Sequence, residues 1–221
     1  MSASRGVIVV DDDPFTRTML RSTLSELDYE VIGDAGNATD ALHLAGELGV
    51  SHAVLDLDLG EGPTGIDVAH AIRKIRPAIG IVMVSTYEEP RLLGGRQVPL
   101  PAGSIYLVKK SILDADILRK ALELSVDPMM RSGAMVISPQ AGRSTLAKLT
   151  DLQIDLMRMV AAGDSNAEIA RKRSITVASV EKAIARITKQ LGLQASPEKN
   201  QRVLIAQTYH QFTGAVHVRT F

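Results

Sequence analysis

The chain has 221 residues, 45% of them apolar, with no cysteine and a formal net charge of zero. That length suits two small domains, and that apolar fraction can fill their cores, which excludes a disordered or collagen-like chain. No stretch is apolar for long enough to predict a membrane span, no signal-peptide pattern opens the chain, and nothing requires a disulfide, so a cytoplasmic protein is expected. The zero net charge hides a division. Residues 1–125 hold 12 Lys+Arg against 18 Asp+Glu, a net of −6, while residues 126–221 hold 13 against 7, a net of +6. The basic half suggests an anionic partner such as nucleic acid, with chance segregation of surface charge as the plainer reading.

In chain order, Val7–Val10 predicts a strand over 6–10 that ends at Asp11-Asp12-Asp13. Pro14 suits the first turn of a helix over 14–27, striped by Thr16, Met19, Leu20, Thr23, Leu24 and Leu27. A strand at 30–34 and a helix at 37–48 follow, the latter striped by Ala38, Ala41, Leu42, Ala45 and Leu48. A strand at 52–56 ends on Asp56, then a helix spans 65–75. Strands at 80–85 and 104–108 end on Ser85 and just before Lys109, and a helix at 113–125 closes the half. Continuous apolar runs of this length read as strands buried on both faces, hence a parallel, doubly wound sheet with right-handed crossovers. One connection breaks the rhythm: residues 87–103 carry three prolines and three glycines, so a turn of helix at most is expected there.

Residues 126–145, with Pro128, Gly133, Pro139 and Gly142, read as a linker. Beyond it the pattern is helical. Thr150-x-x-Gln153 and Ser165-x-x-Glu168 have the spacing of capping boxes, and Gly163 fits just past the end of the first helix. Helices are expected at 166–173, at 177–191 and from Ser196-Pro197 to about 212.

In an open α/β sheet, ligands bind beyond the carboxyl ends of the strands. Asp11, Asp12, Asp56, Ser85 and Lys109 should therefore share one edge. A strand-end carboxylate can act as a covalent nucleophile towards phosphorus. Its charge repels a phosphoryl group, so a cation is needed, and Mg²⁺ prefers one or two carboxylates with waters and substrate oxygens. Asp11 and Asp12 could hold it, while Lys109 and Ser85 contact phosphoryl oxygens. Each residue has a blander reading alone: a helix cap for the acids, as for Asp13 before Pro14, solvated surface for the lysine, a capped turn for the serine.

Val-Val-Asp-Asp-Asp-Pro, Val-Leu-Asp-Leu-x-Leu, Val-Met-Val-Ser and Tyr-Leu-Val-Lys, in that order over residues 5–125, resemble the receiver domain of bacterial two-component response regulators. The resemblance implies Asp56 as the phosphoacceptor of a sensor histidine kinase. It further implies an Mg²⁺ site made by Asp11, Asp12, the phosphoacceptor Asp56 and the backbone carbonyl of Asp58, with Asp12 rather than Asp11 favoured as the direct ligand of the acidic pair. Ser85 and Lys109 would touch the phosphoryl group, and Tyr106 would reorient as Ser85 moves. The chain departs from the family pattern at Gly60, where proline is usual, at Lys110, where Lys109 is usually followed by a cis proline, and at 88–103, where a full helix is usual. Asp56-Leu57-Asp58 also resembles the first motif of haloacid-dehalogenase-type phosphatases, but those place their metal-binding acids late in the chain, not at 11–12.

Within 149–192, Leu-Thr-Asp-Leu-Gln, Met-Val-Ala-Ala-Gly-Asp-Ser-Asn-Ala-Glu-Ile-Ala, Ser-Val-Glu-Lys and Leu-Gly resemble the LuxR-type helix-turn-helix output domain of the NarL/FixJ class. That resemblance makes 166–173 the scaffold helix and 177–191 the recognition helix, capped by Thr176. Val180, Ile184, Ile187 and Leu191 are spaced to face the core. Lys182, Arg186 and Lys189 lie on another side, placed for phosphates or guanine edges, with Arg171, Lys172 and Arg173 adding charge at the turn. Glu181, where the family commonly has lysine, could accept from a cytosine amino group or repel phosphate.

The expected architecture is thus α/β plus all-α. A doubly wound five-stranded parallel (flavodoxin-like) receiver occupies 1–125, a linker 126–145, and a four-helix helix-turn-helix domain 146–221. The expected function is a response regulator whose phosphorylation controls dimerisation, through the helix at 197–212, and binding to double-stranded DNA, with RNA polymerase a further partner. No enzymatic activity is expected beyond phosphorylation and dephosphorylation of Asp56 itself. The alternative is a phosphorylation-independent receiver whose output domain acts through protein contacts.

Overall fold

In the computed structural model, which describes residues 5–47, 49–94, 98–112, 114–129, 133–137, 145–194 and 199–214, strands and helices alternate through the first half. They are β1 (Gly6–Val10), α1 (Pro14–Glu26), β2 (Glu30–Ala35), α2 (Ala38–Ala45), β3 (Val50–Asp56), α3 (Gly65–Ile75), β4 (Gly80–Ser85), β5 (Ile105–Val108) and α4 (Ala115–Ser125). The expected elements form within a few residues of their expected ends. Leu48, expected to close the second helix, and Leu113, expected to open the fourth, lie outside the described residues.

The sheet is parallel throughout, in the order β2-β1-β3-β4-β5-β6. The five expected strands are joined by a sixth, β6 (Met135–Ile137), which runs beside β5 with Ile105 opposite Met135. This strand comes from the segment read as a linker. Gly103 N–H donates to Gly133 O at 2.7 Å and Met135 N–H to Ser104 O at 3.0 Å, so a three-residue apolar run is recruited by an open sheet edge.

Alternation along the strands divides the core. Val7, Val9, Val54, Val82, Val84 and Leu107 pack with Leu20 and Leu24 of α1 and Leu118 and Leu122 of α4. Ile8, Ala53, Leu55, Ile81, Met83 and Tyr106, the intervening residues, are likewise fully buried on the opposite face. Because both β2 and β3 flank β1, the winding direction reverses between β1 and β3. The crevice of such a sheet opens at that reversal, beyond the strand ends that carry Asp11 and Asp56.

By its contacts the chain divides into two units: Met1–Thr86 with Arg96–Pro139, and Tyr87–Gly95 with Gln140–Phe221. The second holds a 3-10 turn (Thr145–Lys148), α5 (Asp151–Ala161), α6 (Asn166–Arg173), α7 (Val177–Gln190) and α8 (Gln201–Phe212). The expected helix start at Ser196-Pro197 lies outside the described residues. Thr150 and Gln153 form both halves of a capping box. Ser165 forms only one half: it accepts from Glu168 N–H at 3.1 Å, while the Glu168 carboxylate is occupied by Arg171. Gly163 takes φ 89° just past α5, a left-handed conformation that a side chain would strain.

The helical unit's core joins Leu146, Leu149, Ile154, Met157, Ile169, Val180, Ile184, Ile187, Ile205 and Tyr209, together with Leu92 from the first half of the sequence. The segment expected to form a turn of helix at most does so at Pro90–Leu93, as a 3-10 turn. It belongs, however, to the helical unit.

Candidate functional site: an acidic pocket at the sheet edge

Asp11, Asp12 and Asp56 each present a carboxylate oxygen within 4.8 Å of the others. Asp11 and Asp56 are buried and Asp12 is exposed. Lys109 Nζ bridges the two buried acids, 2.7 Å from Asp11 Oδ2 and 2.8 Å from Asp56 Oδ2. The other Asp56 oxygen accepts from Leu57 N–H at 2.6 Å and Asp58 N–H at 3.4 Å. Asp58 turns its own Oδ1 to Gly60 N–H at 3.2 Å, and Gly60 takes φ 77°, which explains glycine where proline is usual.

Ser85 is fully buried at the end of β4, in register with Val108, the residue before Lys109, while Val84 pairs with Asp56. The pairing therefore brings Asp56, Ser85 and Lys109 to one sheet edge. Tyr106 is fully buried, opposite Met83. Lys109–Ser111 form a 3-10 turn, and no cis peptide bond occurs among the described residues.

Burial raises the Asp56 pKa to about 6 against the pull of Lys109, and burial likewise raises Asp11. Burial opposes the Lys109 charge, yet its hydrogen bonds to Asp11 and Asp56 outweigh that and hold its pKa above the ordinary lysine value. The pocket thus carries more acid than its one ammonium neutralises. Three hard oxygen donors, one of them open to solvent, suit a small divalent cation that keeps its waters.

Two supports were not evident from sequence. Arg17 Nη1 donates to the carbonyls of Asp11 at 2.7 Å and Asp12 at 3.2 Å, and its Nε pairs with Asp34 at 3.0 Å, so the loop with two of the acids is tied to β2. Gly65 opens α3 against the end of β3: a Cβ there would lie 1.7 Å from Asp56 O, which only glycine avoids. A signal for the second existed in Thr64-Gly65-x-Asp67, whose ends form a capping box.

His52 was also missed. It is buried on β3, its Nδ1 2.8 Å from Ser51 Oγ and its ring edge-on to Tyr29, with centroids 5.4 Å apart. Burial lowers its pKa to about 4. The unfolded chain therefore binds more protons than the folded one from pH 6.5 down to about 4, and stability is lost as pH falls through that window. Asp56 acts oppositely: with a folded pKa above the unfolded one, its contribution is present at low pH and lost as pH rises from 3.8 to about 6. Each amounts to about 3 kcal/mol, so the two nearly cancel. Urea midpoints followed between pH 4 and 6 are expected to fall with rising pH in His52→Gln and to climb more steeply than wild type in Asp56→Asn. A His52→Gln profile parallel to wild type would remove His52 from this account.

On the helical unit, Thr176 caps α7 by accepting from Ser179 N–H at 3.1 Å. Val180, Ile184 and Ile187 are buried, and Leu191 packs against the same core. Lys182, Arg186, Lys189 and Glu181 are exposed. The three basic residues of α6 are engaged within the unit: Arg171 with Glu168 at 2.6 Å, Lys172 with Asp164 at 2.7 Å and Arg173 with Asp155 at 2.9 Å. The six cations are therefore not equivalent.

Residues 7–123 match the family described as the response regulator receiver domain. Over 212 residues the chain is 29% identical to the response regulator protein VraR of Staphylococcus epidermidis, covering 90% of this chain and 95% of that protein. Over 203 residues it is 26% identical to the nitrate/nitrite response regulator protein NarL of Escherichia coli, covering 87% and 91%. Among solved structures, that of the two-component response regulator RcsB in complex with DNA aligns with a TM-score of 0.58 at 18% identity, covering 94% of this chain and 98% of that one. At that identity the likeness shows a shared fold. No helix among the described residues is long and apolar enough to cross a membrane.

Proposed function

The chain belongs to the response regulator receiver family, and from that premise we propose that Asp56 accepts a phosphoryl group and that the helical unit then binds double-stranded DNA to regulate transcription. The observation that carries the first step is the paired engagement of Lys109 with Asp11 and Asp56 beside an exposed Asp12. An Asp56 oxygen attacks phosphorus, the bond to the donor breaks, and the donor leaves with the bonding pair and, where its leaving atom needs one, a proton from solvent. Lys109 moves its contact from Asp56 to a phosphoryl oxygen, and the Ser85 hydroxyl donates to another. Asp11, Asp12, Asp56 and the Asp58 carbonyl would hold Mg²⁺, which when bound would neutralise the charge that gathers there. The raised Asp56 pKa fits a nucleophile whose carboxylate needs that neutralisation. Chemistry at this residue is then the only catalysis the chain performs.

For the second step, α7 presents Lys182, Arg186 and Lys189 from a core-anchored helix behind α6. Two copies paired through α8 would set two recognition helices about one DNA turn apart. A sensor histidine kinase as donor, RNA polymerase as a further contact and a cytoplasmic location complete the reading, with reception in the unit of Met1–Thr86 and Arg96–Pro139 and output from that of Tyr87–Gly95 and Gln140–Phe221. Phosphodonor-dependent retention of DNA from a random-site library tests it.

A further inference from the structure

We propose that the connection leaving β4 is a strap that carries the state of Asp56 directly into the core of the helical unit. This rests on the phosphoacceptor reading above. Ser85 ends β4, Thr86 ends the first unit, and Tyr87 is already packed against the second unit's core. One residue therefore separates the hydroxyl assigned to the phosphoryl group from a side chain of the DNA-binding half.

The strap is built into that half. Leu92 is fully buried among Leu146, Leu149, Ile154 and Tyr209. Tyr209 Oη of α8 donates to Leu92 O at 2.7 Å, and Glu88 N–H donates to Phe212 O at 2.8 Å. Arg91 donates to Leu149 O at 2.8 Å and Leu146 O at 3.2 Å, and pairs with Asp151 at the start of α5 at 3.0 Å. Gly94, at φ 85°, passes so close to α5 that an added Cβ would lie 2.7 Å from Arg158 Nε. A surface loop has no reason to bury a leucine completely or to bond the backbone ahead of α5 and at the end of α8.

Displacement of Ser85 on phosphorylation therefore pulls on a segment that cannot move relative to α5 and α8 without repacking them. Packed cores shift between discrete arrangements rather than stretch, which turns a small displacement into a change of state. Since α8 is the proposed dimer helix, the strap links the phosphoryl group to the dimer.

Hydrogen exchange on the full chain, with phosphate incorporation from acetyl phosphate and Mg²⁺ measured in parallel, tests this. Activation is expected to change exchange in α5 and α8 by about fivefold or more. Two glycines inserted between Thr86 and Tyr87 should abolish that change while incorporation continues. Without any phosphodonor, Leu92→Ala should accelerate exchange in α5 and α8 and leave β1, β3 and β4 protected. Normal incorporation with α5 and α8 unchanged overturns the strap, as does an insertion variant that still responds or a Leu92→Ala effect confined to the sheet. No incorporation in wild type overturns the phosphoacceptor reading, and the strap's signalling role with it.

Discussion

Asp56→Asn is expected to reduce phosphate incorporation from acetyl phosphate and Mg²⁺ to background, with the receiver still folded. The carboxamide keeps the shape of the carboxylate and can still accept from Leu57 N–H, which now meets Asp56 Oδ1 at 2.6 Å. It removes the anionic oxygen proposed to attack phosphorus and one of three carboxylates within 4.8 Å. Lys109 keeps Asp11 as a partner at 2.7 Å, so the substitution leaves no buried ammonium alone. Labelled phosphate and intact-mass measurement read the result. Incorporation that persists in the variant would place the acceptor at another residue.

Specific DNA binding is expected to weaken about a thousandfold between 50 and 200 mM salt, the loss for about six neutralised phosphates. Six is the number that a dimer obtains from Lys182, Arg186 and Lys189, all exposed on α7. Replacing those three with alanine should flatten the salt dependence almost entirely. Replacing Arg171, Lys172 and Arg173 should cost far less, because each already faces an acid within its own unit. Filter binding across a salt series gives both slopes. A slope that falls for the α6 triple and holds for the α7 triple would move the interface to α6.

The pocket was legible because its logic is local and directional: each of these buried apolar runs leads into a polar residue at its carboxyl end, and parallel strands bring such ends to one edge. Strand pattern alone therefore gathers Asp56, Ser85 and Lys109 at one edge. Helix limits were legible where a cap names them, as at Asp13-Pro14, Thr150 and Thr176. What could not be read depends on partners distant in sequence. Leu92 sits among prolines and glycines with no periodicity, and nothing local says that it fills a core with Tyr209. Met135–Ile137 is too short to announce a strand, and only the open edge of β5 makes it one. Likewise, sequence alone does not distinguish the charges of Arg171, Lys172 and Arg173 from those of α7; the fold does, by setting the carboxylates of Glu168, Asp164 and Asp155 beside them. Among the described residues between β4 and β5 the one helical element is the 3-10 turn Pro90–Leu93, as the composition predicts, and its Leu92 lies in the helical unit's core.

The central claim, that phosphorylation at Asp56 governs DNA binding by the helical unit, is tested most directly by one gel-shift comparison. Wild type and Asp56→Asn are titrated onto DNA selected from a random-site library, each with and without acetyl phosphate and Mg²⁺, at fixed salt and with competitor DNA. The expected result is tighter specific binding by wild type when the donor is present and no donor response in Asp56→Asn. Equal binding by both proteins in every condition, or no specific binding in any, would contradict the account.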